Sequence, residues 1–227
     1  MNCTVRTLCA ALLAAVLGPA ACSEQPSKEA AHGAHEDPLP LPFRLALMTG
    51  HVKAGLALYR AGEPAMAAPH LLHPVSETHA AEREGLDAYG FNGALFETVS
   101  AALKEGRTAA DIEPQLQVAE ENLALVARKA GGDPAAIIAF LMNNVVEEYE
   151  IAVTDGVVTD VGEYQDAYGF SLVALERAEQ LNDETVKAAL SDLIALWPSS
   201  PAAAGSPAPI DTVRIKAEAV RAALAGT

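Results

Sequence analysis

The chain has 227 residues, 51% of them hydrophobic and only 5% aromatic, with a formal net charge of −15 at pH 7. A surface that acidic repels nucleic acid and anionic membranes, which excludes both as partners and leaves cations and basic proteins. The three cysteines, Cys3, Cys9 and Cys22, all lie at the N-terminal end. The body of the chain therefore has no disulfide and must be held by its core.

Residues 1–22 have the layout of a secretory signal. Arg6 is followed by an apolar run over residues 8–17, too short to cross a bilayer, and then by Gly18-Pro19 and the small pair Ala20-Ala21. The Ala21-Cys22 junction and the polar tether over residues 23–40 resemble a bacterial lipoprotein signal, with Pro19 where that family prefers leucine. The resemblance implies an exported, periplasmic protein, lipidated at Cys22 and touching the membrane only through that anchor. Plain cleavage nearby would leave it soluble in the periplasm.

Beyond the tether the apolar spacing is helical. Leu45, Met48, Val52, Leu56 and Tyr59 recur at steps of three and four, which predicts a helix over residues 41–61. Gly62-Glu63 reads as a turn, and Pro64 opens a second helix that runs to about residue 89, kinked or restarted around Pro69 and Pro74. Gly55, Ala67 and Leu71 have a spacing reminiscent of tetratricopeptide repeats, but no second copy follows, so a plain helical hairpin is expected. A third helix covers residues 91–105 and a fourth residues 108–130, the latter stopped by Gly131-Gly132. Asp133-Pro134 opens a fifth, over residues 134–154, as N-cap and first helical residue. Asp155-Gly156 ends it, and Val157-Val158-Thr159 is at most a short extended piece. A sixth helix spans residues 161–181, and a seventh carries the stripe Val186, Leu190, Leu193 and Trp197. A Pro/Ala/Ser linker, residues 198–210, leads to a C-terminal helix over residues 211–227. The expected fold is all-α: one bundle of about seven helices, residues 41–197, plus that C-terminal helix.

Two stretches could carry chemistry. On a continuous helix His70, His73 and Glu77 share one face, and imidazole with carboxylate suits iron, zinc, copper or manganese. Pro74 interrupts that helix, so the same residues also read as the solvated or capping edge of a proline-broken segment. His79 and Glu82 form a further pair at a spacing of three. His51 reads as a hydrogen-bonded, partly buried histidine rather than a ligand, and His32 and His35 belong to the tether. In the second stretch Glu147 and Glu150 share a face, as do Glu163 and Asp166. Folding the two helices together would gather four carboxylates, whose mutual repulsion calls for a bound cation. Alternatively Glu163 and Asp166 serve the helix dipole while Glu147 and Glu148 face water.

Tyr149, Ala152-Val153, Asp155-Gly156, Val158, Glu163-Tyr164, Asp166 and Phe170 resemble a pattern in the extracytoplasmic helical region of bacterial high-affinity iron permeases. Arg83-Glu84-Gly85-Leu86-Asp87 is similar to the Arg-Glu-x-x-Glu motif that conducts iron through those permeases' membrane helices, but here no segment suits a membrane span and the likeness is treated as coincidence. Composition and expected location offer a looser analogy to imelysin-like periplasmic proteins.

The resemblance implies a stand-alone relative of the permease's extracytoplasmic domain, in metal uptake or sensing. A transition metal, iron first and then zinc or copper, would be held by His70, His73 and Glu77, completed by Glu150, Glu163 or Asp166. The partner would be a membrane transporter or another envelope protein. The alternative is an envelope scaffold or interaction lipoprotein without metal. No Gly-x-Ser-x-Gly, His-Glu-x-x-His or phosphate loop is present, so an enzyme is not expected.

Overall fold

The computed structural model describes residues 39–197, 201–202 and 205–226. The expected signal, Cys22, His32, His35 and nearly all of the tether lie outside them. The described chain is all-α apart from one two-stranded hairpin. None of its helices is long and apolar enough to cross a membrane.

Helix α1 (Leu41–Arg60) lies at the centre of the described residues. Its apolar residues are not confined to one stripe: Leu45, Ala46, Leu47 and Met48 are all buried in succession, because helices cover it on opposite sides. One side, through Leu45, Met48, Val52 and Leu56, shares a core with α2 (Pro64–Leu72), α4 (Gly93–Lys104) and α5 (Glu113–Ala130). The other, through Ala46 and Leu47, joins a second core formed by α6 (Pro134–Ala152), α7 (Val161–Leu181), α8 (Glu184–Ile194) and α9 (Ile210–Ala225). The C-terminal helix thus completes a four-helix bundle, with Val213, Ala217 and Val220 buried in it. Within the linker the Ala208 carbonyl accepts a hydrogen bond from the Tyr149 hydroxyl at 2.8 Å, which ties the approach to α9 onto α6.

Helix packing is closest where glycines remove side chains. A Cβ on Gly50 would collide with the Phe170 ring on α7, and one on Gly169 would lie 2.9 Å from the Gly50 carbonyl carbon and nearer still to its oxygen. A Cβ on Gly55 would lie 2.7 Å from Leu71 Cγ and 3.0 Å from His70 Cβ. These two contacts seat α7 and α2 against the same stretch of α1, on either side of His51.

The two prolines of the second predicted helix act differently. Pro69 lies inside α2, where it removes one helical donor without ending the helix. Pro74 coincides with the end: α2 stops at Leu72, tightens into a 3-10 turn over His73–Val75, and Ser76 becomes extended. The chain leaves as a loop and returns in the single turn α3 (Ala80–Arg83). The fourth predicted helix also divides, into a 3-10 turn, Ala109–Ile112, and α5, which has Pro114 in its first turn. Between α6 and α7 the chain makes a hairpin of β1 (Val153–Thr154) and β2 (Val157–Val158). Both loop residues, Asp155 (φ 51°) and Gly156 (φ 75°), have the positive φ that a tight two-residue hairpin loop demands.

Candidate metal centre

Helix α7 starts where the Asp160 side chain accepts from the backbone N–H groups of Gly162 and Glu163. One turn into it, Asp166 points at α1 and α2. His51 Nδ1 and His70 Nδ1 approach the same oxygen, Asp166 Oδ1, at 2.7 and 2.9 Å. His70 Nε2 lies 2.8 Å from Gln165 Oε1, while the Gln165 amide nitrogen donates to Met66 Sδ. That second bond orients the amide, so Oε1 accepts from His70 Nε2–H and the ring's Nδ1 is turned toward Asp166 Oδ1.

A second set lies alongside. Arg44 on α1 donates through Nη1 to the carbonyls of Ala81, Glu82 and Glu84 at 2.9–3.2 Å, and Arg83 donates back to the Ser76 carbonyl. These bonds hold α3 so that Glu82 reaches His73 Nε2 at 2.7 Å and His79 Nδ1 at 3.0 Å. The two sets touch through a column of imidazoles: His79 on His73 with ring centroids 3.5 Å apart, and His73 on His51 at 3.9 Å. The edge of Phe170 closes the column over His51, at 5.4 Å.

In each set two histidines and one carboxylate offer ligand atoms within 4.8 Å of one another. Ligands of a tetrahedral ion at a bond length near 2.1 Å stand about 3.4 Å apart, inside that limit, and the histidine–carboxylate contacts at 2.7–3.0 Å would open slightly to admit one. His51, His70 and Asp166 form the deeper set, whereas His79 and Glu82 leave the outer one partly open to solvent.

Charge is distributed unequally over this cluster. Burial opposes protonation of His51, but Asp166, through its charge and hydrogen bond, outweighs burial with help from Glu82 and Glu163, and the His51 pKa rises. Burial likewise opposes ionisation of Asp166, and His51 and His70 more than reverse it, so this carboxyl sits well below its usual range. His73, in the middle of the column, is pushed down to about 4 by burial and by its imidazole neighbours, despite its bond to Glu82. It is neutral at pH 7, the form that binds metal. Glu82 falls to about 2, since bonding to His73 and His79 overcomes its burial.

Behind Asp166 lies a carboxyl pair. Glu148 of α6 is 3% exposed, and burial, its hydrogen bond to Glu163 and the charges of Glu163, Asp166 and Glu147 lift its pKa to about 9. Glu148 therefore keeps a proton and Glu163 accepts from it, while Glu148 Oε2 is buried without a partner. Between its ordinary value of 4.5 and about 9 the folded protein retains a proton that the unfolded chain has released, so this group makes stability fall as pH rises. In the metal-free protein, Glu148→Gln is expected to melt higher than wild type at pH 8 and to show a smaller gain at pH 5, in paired thermal scans. An equal shift at both pH values would show that Glu148 carries no such proton.

Of the residues singled out by sequence, His70, His73, Glu163 and Asp166 come together, though His70 and His73 serve different sets. Glu77 is exposed, because the chain turns out of its helix at Ser76 before reaching it. Glu150 is exposed on α6 and pairs with Arg214 of α9 at 2.8 Å, two residues and about half a turn from Glu148, which faces inward. His51, His79, Glu82, Gln165 and Glu148 complete the cluster. Only the spacing of His79 and Glu82 signalled any of these; His51 and Glu148 acquire partners from helices remote in sequence.

The four helices behind this site have a recognisable counterpart. Residues 127–227 match the iron permease-associated 4-helix bundle domain. The match spans α6 to α9 and ties this segment of the chain to iron permeases. No curated protein and no solved structure matches the chain. Within the permease-associated bundle, some residues of the sequence pattern face the site and others hold the helices that carry it. Asp155-Gly156 turns α6 back along α7, Tyr149 and Tyr164 pack with Trp197, and Glu163, Asp166 and Phe170 face the histidines. The histidines themselves all come from residues 51–79, outside the matched segment.

Proposed function

We propose that this protein is an exported, non-catalytic metal-binding accessory of iron uptake, in which the permease-associated bundle supplies one carboxylate, Asp166, and the N-terminal helices supply imidazoles to a buried ion. The observation that carries the reading is the pair of adjoining two-histidine, one-carboxylate sets. That donor set suits iron(II) and leaves coordination positions open, as befits a cargo that must leave again. Thiolates are absent from the body of the chain, so no donor favours the softest metals. The outer set, His73, His79 and Glu82, receives the ion from solvent, and the deeper set, His51, His70 and Asp166, retains it. The secretory layout of residues 1–22 supports a periplasmic location with Cys22 as a lipid anchor, and the family match supports a membrane transporter as partner.

Anaerobic titration of tag-free protein with iron(II), then zinc, copper and manganese, tests this. Wild type is expected to bind iron(II) stoichiometrically. His51→Ala/His70→Ala should lose retention, and His73→Ala/His79→Ala should slow uptake more than it weakens binding. Binding unchanged in the first double variant would sink the assignment and leave the metal-free scaffold as the better account.

A further inference from the structure

Outside the metal cluster the buried charged residue among those described is Arg177, on the far reach of α7. Its side chain is 5% exposed, yet among the described residues it has no hydrogen-bond or ion-pair partner. Burial depresses its pKa, with only Glu176 acting the other way. A buried arginine without an ion-pair partner is costly in general, and the Arg177 nitrogens are not sealed in the core but reach the open space beside them.

Arg177 opens into a cleft of about 400 Å³ between α1, α5 and α7, a volume within the range of small-molecule sites. The floor is apolar: Val52 and Leu56 from α1, Leu123 and Ala127 from α5, and Val173 from α7. The acidic residues nearest the cleft are already engaged. Lys53 pairs with Glu176 and lies 3.9 Å from Glu120, which Arg60 also holds at 2.6 Å. At the mouth the exposed carboxylates Glu121 and Glu179 outnumber the exposed cation Arg128 and oppose a ligand of high negative charge.

We propose that this cleft binds a small amphiphilic monocarboxylate, its carboxylate on the Arg177 guanidinium and its apolar body on the Val52–Leu56–Val173 floor. The guanidinium fork matches a carboxylate with two parallel N–H donors, and the apolar wall keeps water from competing for them. One negative charge satisfies Arg177; a second or third would face Glu121 and Glu179. The site uses none of the metal cluster's side chains, so it stands or falls separately from the proposed function.

Octanoate is a suitable probe, with octanol and citrate as controls lacking the charge or carrying too much of it. Calorimetric titration of the whole protein is expected to show one octanoate per chain and a rise in Tm, with no response to either control. Arg177→Met should weaken octanoate binding by about tenfold or more. Without ligand it should melt no lower than wild type, because an uncompensated buried charge has been replaced by a side chain of similar length. Ala127→Phe, which fills the cleft and leaves Arg177 in place, should abolish binding. Failure of octanoate to bind wild type, equal binding to Arg177→Met, or a much lower Tm for that variant would overturn the proposal. If Arg177→Met does not fold, unaltered octanoate affinity in Ala127→Phe overturns it alone.

Discussion

Asp166→Asn is expected to lose metal affinity by at least about 100-fold, beyond what loss of an outer-sphere partner alone costs. Asp166 Oδ1 is the one atom shared by His51 and His70, so the change removes a ligand and both imidazoles' counter-charge together. The metal-free variant should also be less stable by about 3 kcal/mol, the scale for removing one member of a buried ion pair. Its pH dependence distinguishes this from simple misfolding. His51 has a raised pKa, so its contribution is fully present below the unfolded value of 6.5 and is lost as pH climbs through the folded one. Asp166 has a depressed pKa, so its contribution is present above the unfolded value of 3.8 and is lost as pH falls. Both act together between those limits, and the gap between wild type and Asp166→Asn should be widest near pH 5–6 and shrink on either side, in denaturant titrations across pH. Metal binding should show the converse trend. An ion must displace the proton on His51, so wild-type affinity should rise with pH and proton release should accompany uptake. A pH-independent loss of stability in Asp166→Asn would point to packing rather than charge.

Helix positions in this protein were legible from sequence because its turn signals are strong. Asp133-Pro134 starts α6, Asp160 caps α7, and Asp155-Gly156 sets the hairpin between them, each through local chemistry that needs no tertiary partner. The permease-like pattern was legible for the same reason, and its span falls inside the matched segment. The site was legible only in part. His70 and Asp166 stand 96 positions apart along the chain, and no periodicity on α2 or α7 indicates that they meet; the meeting depends on how closely both helices approach α1. Glu77 and Glu150 illustrate the converse. Their spacing on ideal helices suited a shared face, but Pro74 redirects the first, while on α6 the inward position falls to Glu148, buried between Val145 and Ala152. Glycine spacing was the available clue: Gly50 and Gly55 flank His51, and both mark close helix contacts.

That dependence makes Gly169→Ala the most informative structural test. In an isolated helix the change should stabilise by up to about 1 kcal/mol, since alanine is the better helix former. Here the new methyl meets the backbone of Gly50, which cannot swing aside as a side chain would. The α1–α7 crossing must widen, and overpacking of this kind costs about 1–3 kcal/mol, with backbone contact placing it at the upper end. Gly162→Ala on the same helix is the control. Its Cβ would meet only Asp160 Oδ1 at 3.4 Å, so it should be nearly neutral. The consequence for function follows from position: Gly50 precedes His51, and Gly169 lies one turn beyond Asp166. Separating the helices there stretches the 2.7 Å His51–Asp166 contact, so Gly169→Ala should lower both Tm and metal affinity without altering a ligand. A variant that melts like wild type, or melts lower yet binds iron(II) with full affinity, would show that the close crossing does not position the metal centre.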